Sequence, residues 1–138
     1  MRVRGGKKTV EMSDEEFRSL AGQYDDVLLD LGTGDGMFVY RYAGAHSATL
    51  CIGVDSFGEA MKKTSNRALG KVTRGGAPNA LFIIAAIEDL PMQWRLYDLC
   101  SRTPTVISTT YRTRDGSSRA PSSSPPYSVS PARTPALS

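Results

Sequence analysis

The stretch "VLLDLGTGDGMFVY", Val27 to Tyr40, decides how the rest of the chain is read. A branched apolar run without alternation ends on an acid, passes three glycines at alternate positions, and becomes apolar again. The run reads as a strand buried on both faces of a parallel sheet. The glycines read as a tight turn over which a ligand can sit, and the text from Met37 reads as a helix.

Three ligand classes use a glycine turn after a first parallel strand. A P-loop ends its turn in Lys followed by Ser or Thr, and "GTGDGMF" has neither. A dinucleotide fold prefers G-x-G-x-x-G, but its third glycine position is Met37 here, and Asp30 would bring a carboxylate close to the pyrophosphate. D-x-G-x-G-x-G is instead the signature of class I S-adenosylmethionine-dependent methyltransferases. The ammonium and sulfonium of that ligand make an acid at the strand end an asset, and glycine lets the backbone approach closely. Asp55 lies 23 residues after Gly32, at the end of the next apolar run, where a carboxylate can accept both ribose hydroxyls; NAD folds share that acid. "AAIEDLP" supplies the position that flanks the adenine. A plain tight strand-to-helix loop explains the glycines, but not the two acids and the third strand together.

Working outward, "KKTVEM" alternates as a short strand, and "SDEEF" is a helix entry in which Ser13 and Glu16 form a capping box. Asp14, Glu15 and Glu16 suit the positive end of the helix dipole. Phe17, Leu20 and Ala21 give one apolar face, up to about Gly22. "TLCIGVD" (Thr49 to Asp55) is a second buried strand. "FGEAMKKTSNRALG" reads as a helix with Phe57, Met61 and Ala68 on its buried face. "KVTRGGAPN" is a loop and "ALFIIAA" (Ala80 to Ala86) a third buried strand. The expected fold class is α/β: a partial Rossmann-like methyltransferase fold with three parallel strands joined by right-handed crossovers.

Composition changes after Gln93. Ser, Thr, Pro and Arg make up 27 of the 38 residues from 101 to 138, too little apolar surface to offset ordering entropy, so disorder is expected there. The weak apolar run "TVIS" (Thr105 to Ser108) is a candidate for pairing at a sheet edge. We therefore read 1–98 as the N-terminal half of a methyltransferase domain and 99–138 as a tail. The tail also carries the basic charge: residues 1–100 hold 12 Lys and Arg against 13 Asp and Glu, whereas 101–138 hold five Arg against one Asp. A pI near 9.0 is thus no argument for an RNA-binding fold. The two cysteines, Cys51 and Cys100, have neither metal-ligand nor disulfide spacing. With no signal peptide and no apolar window of membrane length, a cytoplasmic, metal-free monomer is expected.

"GKKTVEMS", "YDDVLLDLGTGDG", "IGVD" and "KVTRGGAPNALFIIAAIEDLP" resemble, in order and spacing from about Gly6 to Pro91, the 16S rRNA methyltransferases that confer aminoglycoside resistance by modifying N1 of decoding-site adenine 1408. The resemblance implies S-adenosyl-L-methionine as cofactor, with contacts at Asp30, Gly32, Thr33, Gly34, Asp55, Ala86, Ile87 and Glu88. It implies the small ribosomal subunit as partner, gripped by the segment carrying Lys62, Lys63, Arg67, Lys71 and Arg74. Lys63, Arg67, Lys71 and Arg74 step by 4, 4 and 3, one stripe if they lie on a single helix; a solvated helix face is the plainer reading of the same charges.

The chain also departs from that family. The family continues into a fourth strand with a Pro-Trp-Gly motif and aromatics that hold the flipped adenine. The single tryptophan, Trp94, does not match that position. A frameshift is the simplest account of the tail, because "DGSSRAPSSSPP" (Asp115 to Pro126) can be back-translated, with GC-rich codons chosen, so that a neighbouring frame reads as apolar text; a naturally short protein with a basic disordered tail is the alternative. A truncated, inactive member is expected, whose third strand is an unpaired edge and whose sheet faces are uncovered. No catalytic histidine is expected, since adenine N1 is already nucleophilic and His46 falls in an exposed loop. A cofactor-binding module without transfer activity, an NAD-binding fragment and an unstructured basic RNA-associating chain are the other classes left open.

Overall fold

The computed structural model of the chain describes residues 1–86, 90–100 and 102–108. Strands β1 (Arg2–Gly5) and β2 (Lys8–Glu11) form a hairpin, followed by α1 (Asp14–Ala21), β3 (Asp26–Leu31), α2 (Met37–Ala45) and β4 (Thr49–Asp55). A 3-10 turn (Gly58–Met61) runs into α3 (Lys62–Ala68), and a second 3-10 turn (Val72–Arg74) precedes β5 (Ala80–Ile84), α4 (Leu90–Leu99) and β6 (Thr105–Ile107). The strands make one six-stranded sheet in the order β2-β1-β5-β4-β3-β6. Neighbours from β5 through β4 and β3 to β6 are parallel, while β1 is antiparallel to both β2 and β5.

The three parallel strands read from the sequence are present, and their side chains alternate between two apolar layers. Val27, Leu29, Leu50, Ile52, Val54, Leu81 and Ile83 face α1 and α4, meeting Phe17, Ala21, Leu96 and Leu99. Leu28, Cys51 and Phe82 face α2 and α3, meeting Val39, Ala43, Met61 and Ala68. A sheet covered on both sides needs apolar residues at consecutive positions, which is why these runs do not alternate.

This arrangement corrects the expectation of an unpaired third strand and uncovered faces. The outer edge of β5 is occupied by β1, with Arg2 opposite Ile84 and Val3 opposite Ile83. The outer edge of β3 pairs with β6 from Leu28–Thr105 to Asp30–Ile107. The "TVIS" run thus forms a strand inside the segment expected to be disordered, and α4 runs across the expected boundary at residue 98. The rest of the tail, from 109 on, lies outside the described residues.

Two local readings also change. Phe57 is 64% exposed rather than buried with Met61. Asp55 Oδ1 accepts the Phe57 backbone N–H at 2.9 Å, which turns the chain before the helix begins and leaves Phe57 off its apolar face. The basic stripe is not one helix: α3 ends at Ala68, Lys71 is extended (φ −63°, ψ 141°), and Arg74 belongs to the second 3-10 turn. The helix entry at Ser13 holds as read, with Glu16 N–H to Ser13 Oγ at 3.1 Å and Ser13 N–H to Glu16 Oε2 at 2.7 Å. None of the described helices is long and apolar enough to cross a membrane.

Candidate functional site

The sheet order reverses at β3: its sequential successor β4 lies on one side and β6 on the other. In open α/β sheets such a switch point, at the carboxyl ends of the strands, is where ligands bind. The glycine turn leaves β3 there. Gly32, Gly34 and Gly36 all have left-handed backbones, at φ +74°, +63° and +78°, a conformation costly for any residue with a Cβ. The turn is fastened to β4: Gly32 N–H and Thr33 N–H both donate to Val54 C=O, at 2.8 and 3.0 Å, and Gly34 N–H donates to Asp55 Oδ2 at 2.9 Å.

Asp30 is wholly buried beneath the turn, and its Oδ2 accepts the Thr33 hydroxyl at 2.8 Å. A buried carboxylate is costly unless it is hydrogen-bonded, and the Thr33 hydroxyl supplies one such bond. Asp55, at the end of β4, is half-buried and takes one backbone N–H on each carboxylate oxygen. Each oxygen has a further lone pair, so the carboxylate keeps capacity for the two hydroxyls of a ribose. Ala85 N–H donates to Asp55 C=O at 3.0 Å, which sets exposed Ala86 at the end of β5 beside the same rim. The structure therefore gathers Asp30, Gly32, Thr33, Gly34, Asp55 and Ala86 at three adjacent strand ends. Ile87 and Glu88 lie outside the described residues.

Several supporting contacts escaped the sequence reading. A Cβ on Gly36 would lie 2.5 Å from the Phe82 ring, so the third glycine lets α2 close onto β5. A Cβ on Gly53 would lie 2.8 Å from Thr33, the residue that holds Asp30. The Asn79 side-chain amide is shared among the carbonyls of Ala43, His46 and Thr49 at 2.8 to 3.0 Å, tying the end of α2 to the start of β4. His46 is exposed, with its ring stacked on Tyr42 at 3.9 Å. Cys51 and Cys100 are buried thiols, pushed up by burial to about 12 and about 11, the latter against the pull of Arg102.

The basic residues form a second feature on the α2–α3 side. Lys63, Arg67, Lys71 and Arg74 are exposed, and Lys62 pairs with Glu59 at 3.8 Å. The Arg67 guanidinium lies 5.1 Å over the Tyr40 ring, whose hydroxyl donates to Gly75 C=O at 2.5 Å. Ala77 N–H donates to Ala68 C=O at 2.9 Å, which folds the 69–76 loop back on the end of α3. A Cβ on Gly76 would lie 1.8 Å from Gly70 C=O, so only glycine fits this crossing.

A profile of the NpmA family, described as 16S rRNA (adenine(1408)-N(1))-methyltransferase, matches residues 2–101. A 16S rRNA (adenine(1408)-N(1))-methyltransferase of Streptoalloteichus tenebrarius is 44% identical over 86 residues, covering 62% of this chain and 40% of the relative. Its Escherichia coli counterpart is 40% identical over 93 residues, covering 67% of this chain and 42% of that protein. The crystal structure of the antibiotic-resistance methyltransferase Kmr matches at 49% identity and TM-score 0.63, over 66% of this chain and 47% of Kmr. A variant of the Catenulisporales acidiphilia 16S rRNA (adenine(1408)-N(1))-methyltransferase, solved with its cosubstrate SAM, matches at 37% identity and TM-score 0.63, covering 66% of this chain and 41% of that one. The chain spans well under half the length of the curated relatives it matches.

Proposed function

Since the chain belongs to the 16S rRNA (adenine(1408)-N(1))-methyltransferase family, we propose that its described residues form the S-adenosylmethionine-binding half of such an enzyme. The reaction we assign is methylation of N1 of adenine 1408 in the small ribosomal subunit, with aminoglycoside resistance as its consequence. The observation that carries the reading is the joining of the glycine turn to Asp55, through Gly34 N–H at 2.9 Å, next to the buried Asp30. When bound, the cofactor supplies a methyl group and leaves as a neutral thioether.

In this reading Asp55 accepts the ribose hydroxyls, and the acid Asp30 at the strand end suits the cationic methionyl end. The left-handed glycines keep side chains off the approach, and Ala86, with Ile87 and Glu88, flanks the adenine of the cofactor. Lys62, Lys63, Arg67, Lys71 and Arg74 bind rRNA phosphates. No general base is assigned, because holding adenine N1 in line with the methyl group supplies most of the acceleration.

Calorimetric titration with S-adenosylmethionine tests the donor site, run beside Asp55→Asn and with NAD as competitor. Saturable binding to the parent is expected. Loss of the charged acceptor weakens it on the order of tenfold or more, from roughly 1.5–3 kcal/mol per hydrogen bond to a charged group. Preference for NAD, or equal affinity in the variant, removes the reading. Transfer is then read as a reverse-transcription stop at adenine 1408 after incubation of small subunits with the chain and cofactor. A stop supports the enzyme assignment, whereas binding without a stop reduces it to a donor-binding module.

A further inference from the structure

The β1–β2 hairpin does more than cover the edge of β5. Its turn, Gly5 to Lys8, is seated on α3 rather than standing free. Gly6 N–H donates to Ser65 Oγ at 2.9 Å in a buried contact, and the same Oγ donates to Lys62 C=O at 3.1 Å. A Cβ on Gly6, whose φ is +61°, would lie 2.7 Å from Asn66 Oδ1, and one on Gly5 would lie 3.5 Å from Leu69 Cδ1. Two segments 59 residues apart in sequence thus share one surface.

That surface is strongly cationic. Residues 4–8 and 59–74 hold Arg4, Lys7, Lys8, Lys62, Lys63, Arg67, Lys71 and Arg74 against the one acid Glu59. Glu59 is occupied by Arg4 at 3.2 Å and Lys62 at 3.8 Å. Arg4 is further pinned by its Nε donating to Gly6 C=O at 2.7 Å. Lys7 and Lys8 are exposed, as are Lys63, Arg67, Lys71 and Arg74. Like charges collected on two abutting elements repel, and a polyanion crossing both elements relieves that repulsion. Phosphate contacts on two elements also fix orientation, which a single line of charge does not.

Resting on the rRNA reading above, we propose that the hairpin turn is a second arm of the RNA-contacting surface, with Lys7 and Lys8 gripping backbone phosphates of the same rRNA bound by residues 62–74. The competing role for these lysines is protection of β2, the exposed outer strand, against pairing with other chains.

The test uses the full chain with purified small ribosomal subunits and saturating S-adenosylmethionine, measuring affinity over a salt series. Four proteins are compared: the parent, Lys7→Ala with Lys8→Ala, Lys7→Arg with Lys8→Arg, and Lys63→Ala with Lys71→Ala. Cofactor titration of each confirms an intact fold. The hairpin alanine pair is expected to bind on the order of tenfold more weakly at ~100 mM salt, with a log–log salt slope shallower by about 2, and the arginine pair to restore both. The proposal is overturned if the hairpin alanine pair binds like the parent while the Lys63 and Lys71 pair weakens; the rRNA reading then stands alone. Failure of the arginine pair to restore binding overturns it as well, since charge would not be the cause. If the parent does not bind subunits, the rRNA reading falls and takes this one with it.

Discussion

At the scale of a residue, Gly36 shows how two demands fall on one position. It caps α2 in a left-handed conformation, φ +78°, and it lets the helix approach Phe82 so closely that a methyl group would meet the ring at 2.5 Å. Gly36→Ala is expected to cost about 3 kcal/mol in urea unfolding, from backbone strain and overpacking together. Pairing it with Phe82→Leu separates the two, because a smaller side chain relieves the clash and not the strain. A coupling of about 1 kcal/mol or more in that double-mutant cycle is expected, and strict additivity would show that the ring contact is unimportant. The alternating glycines are legible in the sequence as a tight turn. The packing role of the third was not, because Phe82 lies 46 residues away and meets it only through the sheet.

At the scale of an element, the 69–76 loop is held by groups that no local pattern announces. Tyr40 reaches from α2 to Gly75 C=O, and its ring lies beneath Arg67. Tyr40→Phe keeps the ring and removes the tether. Amide exchange at Gly75 and Gly76, which bond within the loop to Val72 and Lys71 carbonyls, is expected to quicken several-fold, in keeping with the loss of about 1 kcal/mol. Affinity for S-adenosylmethionine is expected to stay unchanged and affinity for small subunits to fall. Unaltered exchange at those two amides would show that the hydroxyl does not hold the loop. The same loop carries Lys71 and Arg74 off the helix, so their 4, 4 and 3 spacing with Lys63 and Arg67 makes no single helical stripe. The helix stops where Ala77 N–H returns to Ala68 C=O and Gly76 passes under Gly70.

At the scale of the whole molecule, the two cysteines report on the two apolar layers. Cys100 packs in the α1–α4 layer and Cys51 in the α2–α3 layer. Burial raises both thiols above the ordinary 9.0, to about 11 and about 12. For an acid whose folded value is raised, the folded state retains a proton that the unfolded state releases. The stability is therefore complete below pH 9 and is lost as pH climbs toward 11 and 12. Each thiol is expected to contribute about 1.4 kcal/mol of loss per pH unit within its window. Replacing both with alanine is expected to flatten the decline in urea-unfolding free energy between about pH 9 and 11, relative to the parent. An equal slope in the two proteins would mean that water reaches the thiols. Sheet closure also belongs to this scale. Arg2–Gly5 carries no strand pattern in the sequence, yet it forms the strand that covers β5, and three residues of a Ser- and Thr-rich tail cover β3.

The sequence by itself determined the parallel α/β core, the glycine turn with its two acids and the family, because each of these is written in contiguous residues. A run buried on both faces, a left-handed turn and a capping box each require particular residue types at fixed short spacing. Only the tertiary structure decided which strands close the sheet edges, how the 69–76 loop folds back on α3, and that the N-terminal hairpin lies against α3. Those outcomes depend on backbone hydrogen bonds and close approaches between distant segments, such as Gly6 with Ser65. A backbone N–H or a missing Cβ offers the same surface whatever sequence surrounds it, so its partner is fixed only once the chain has folded.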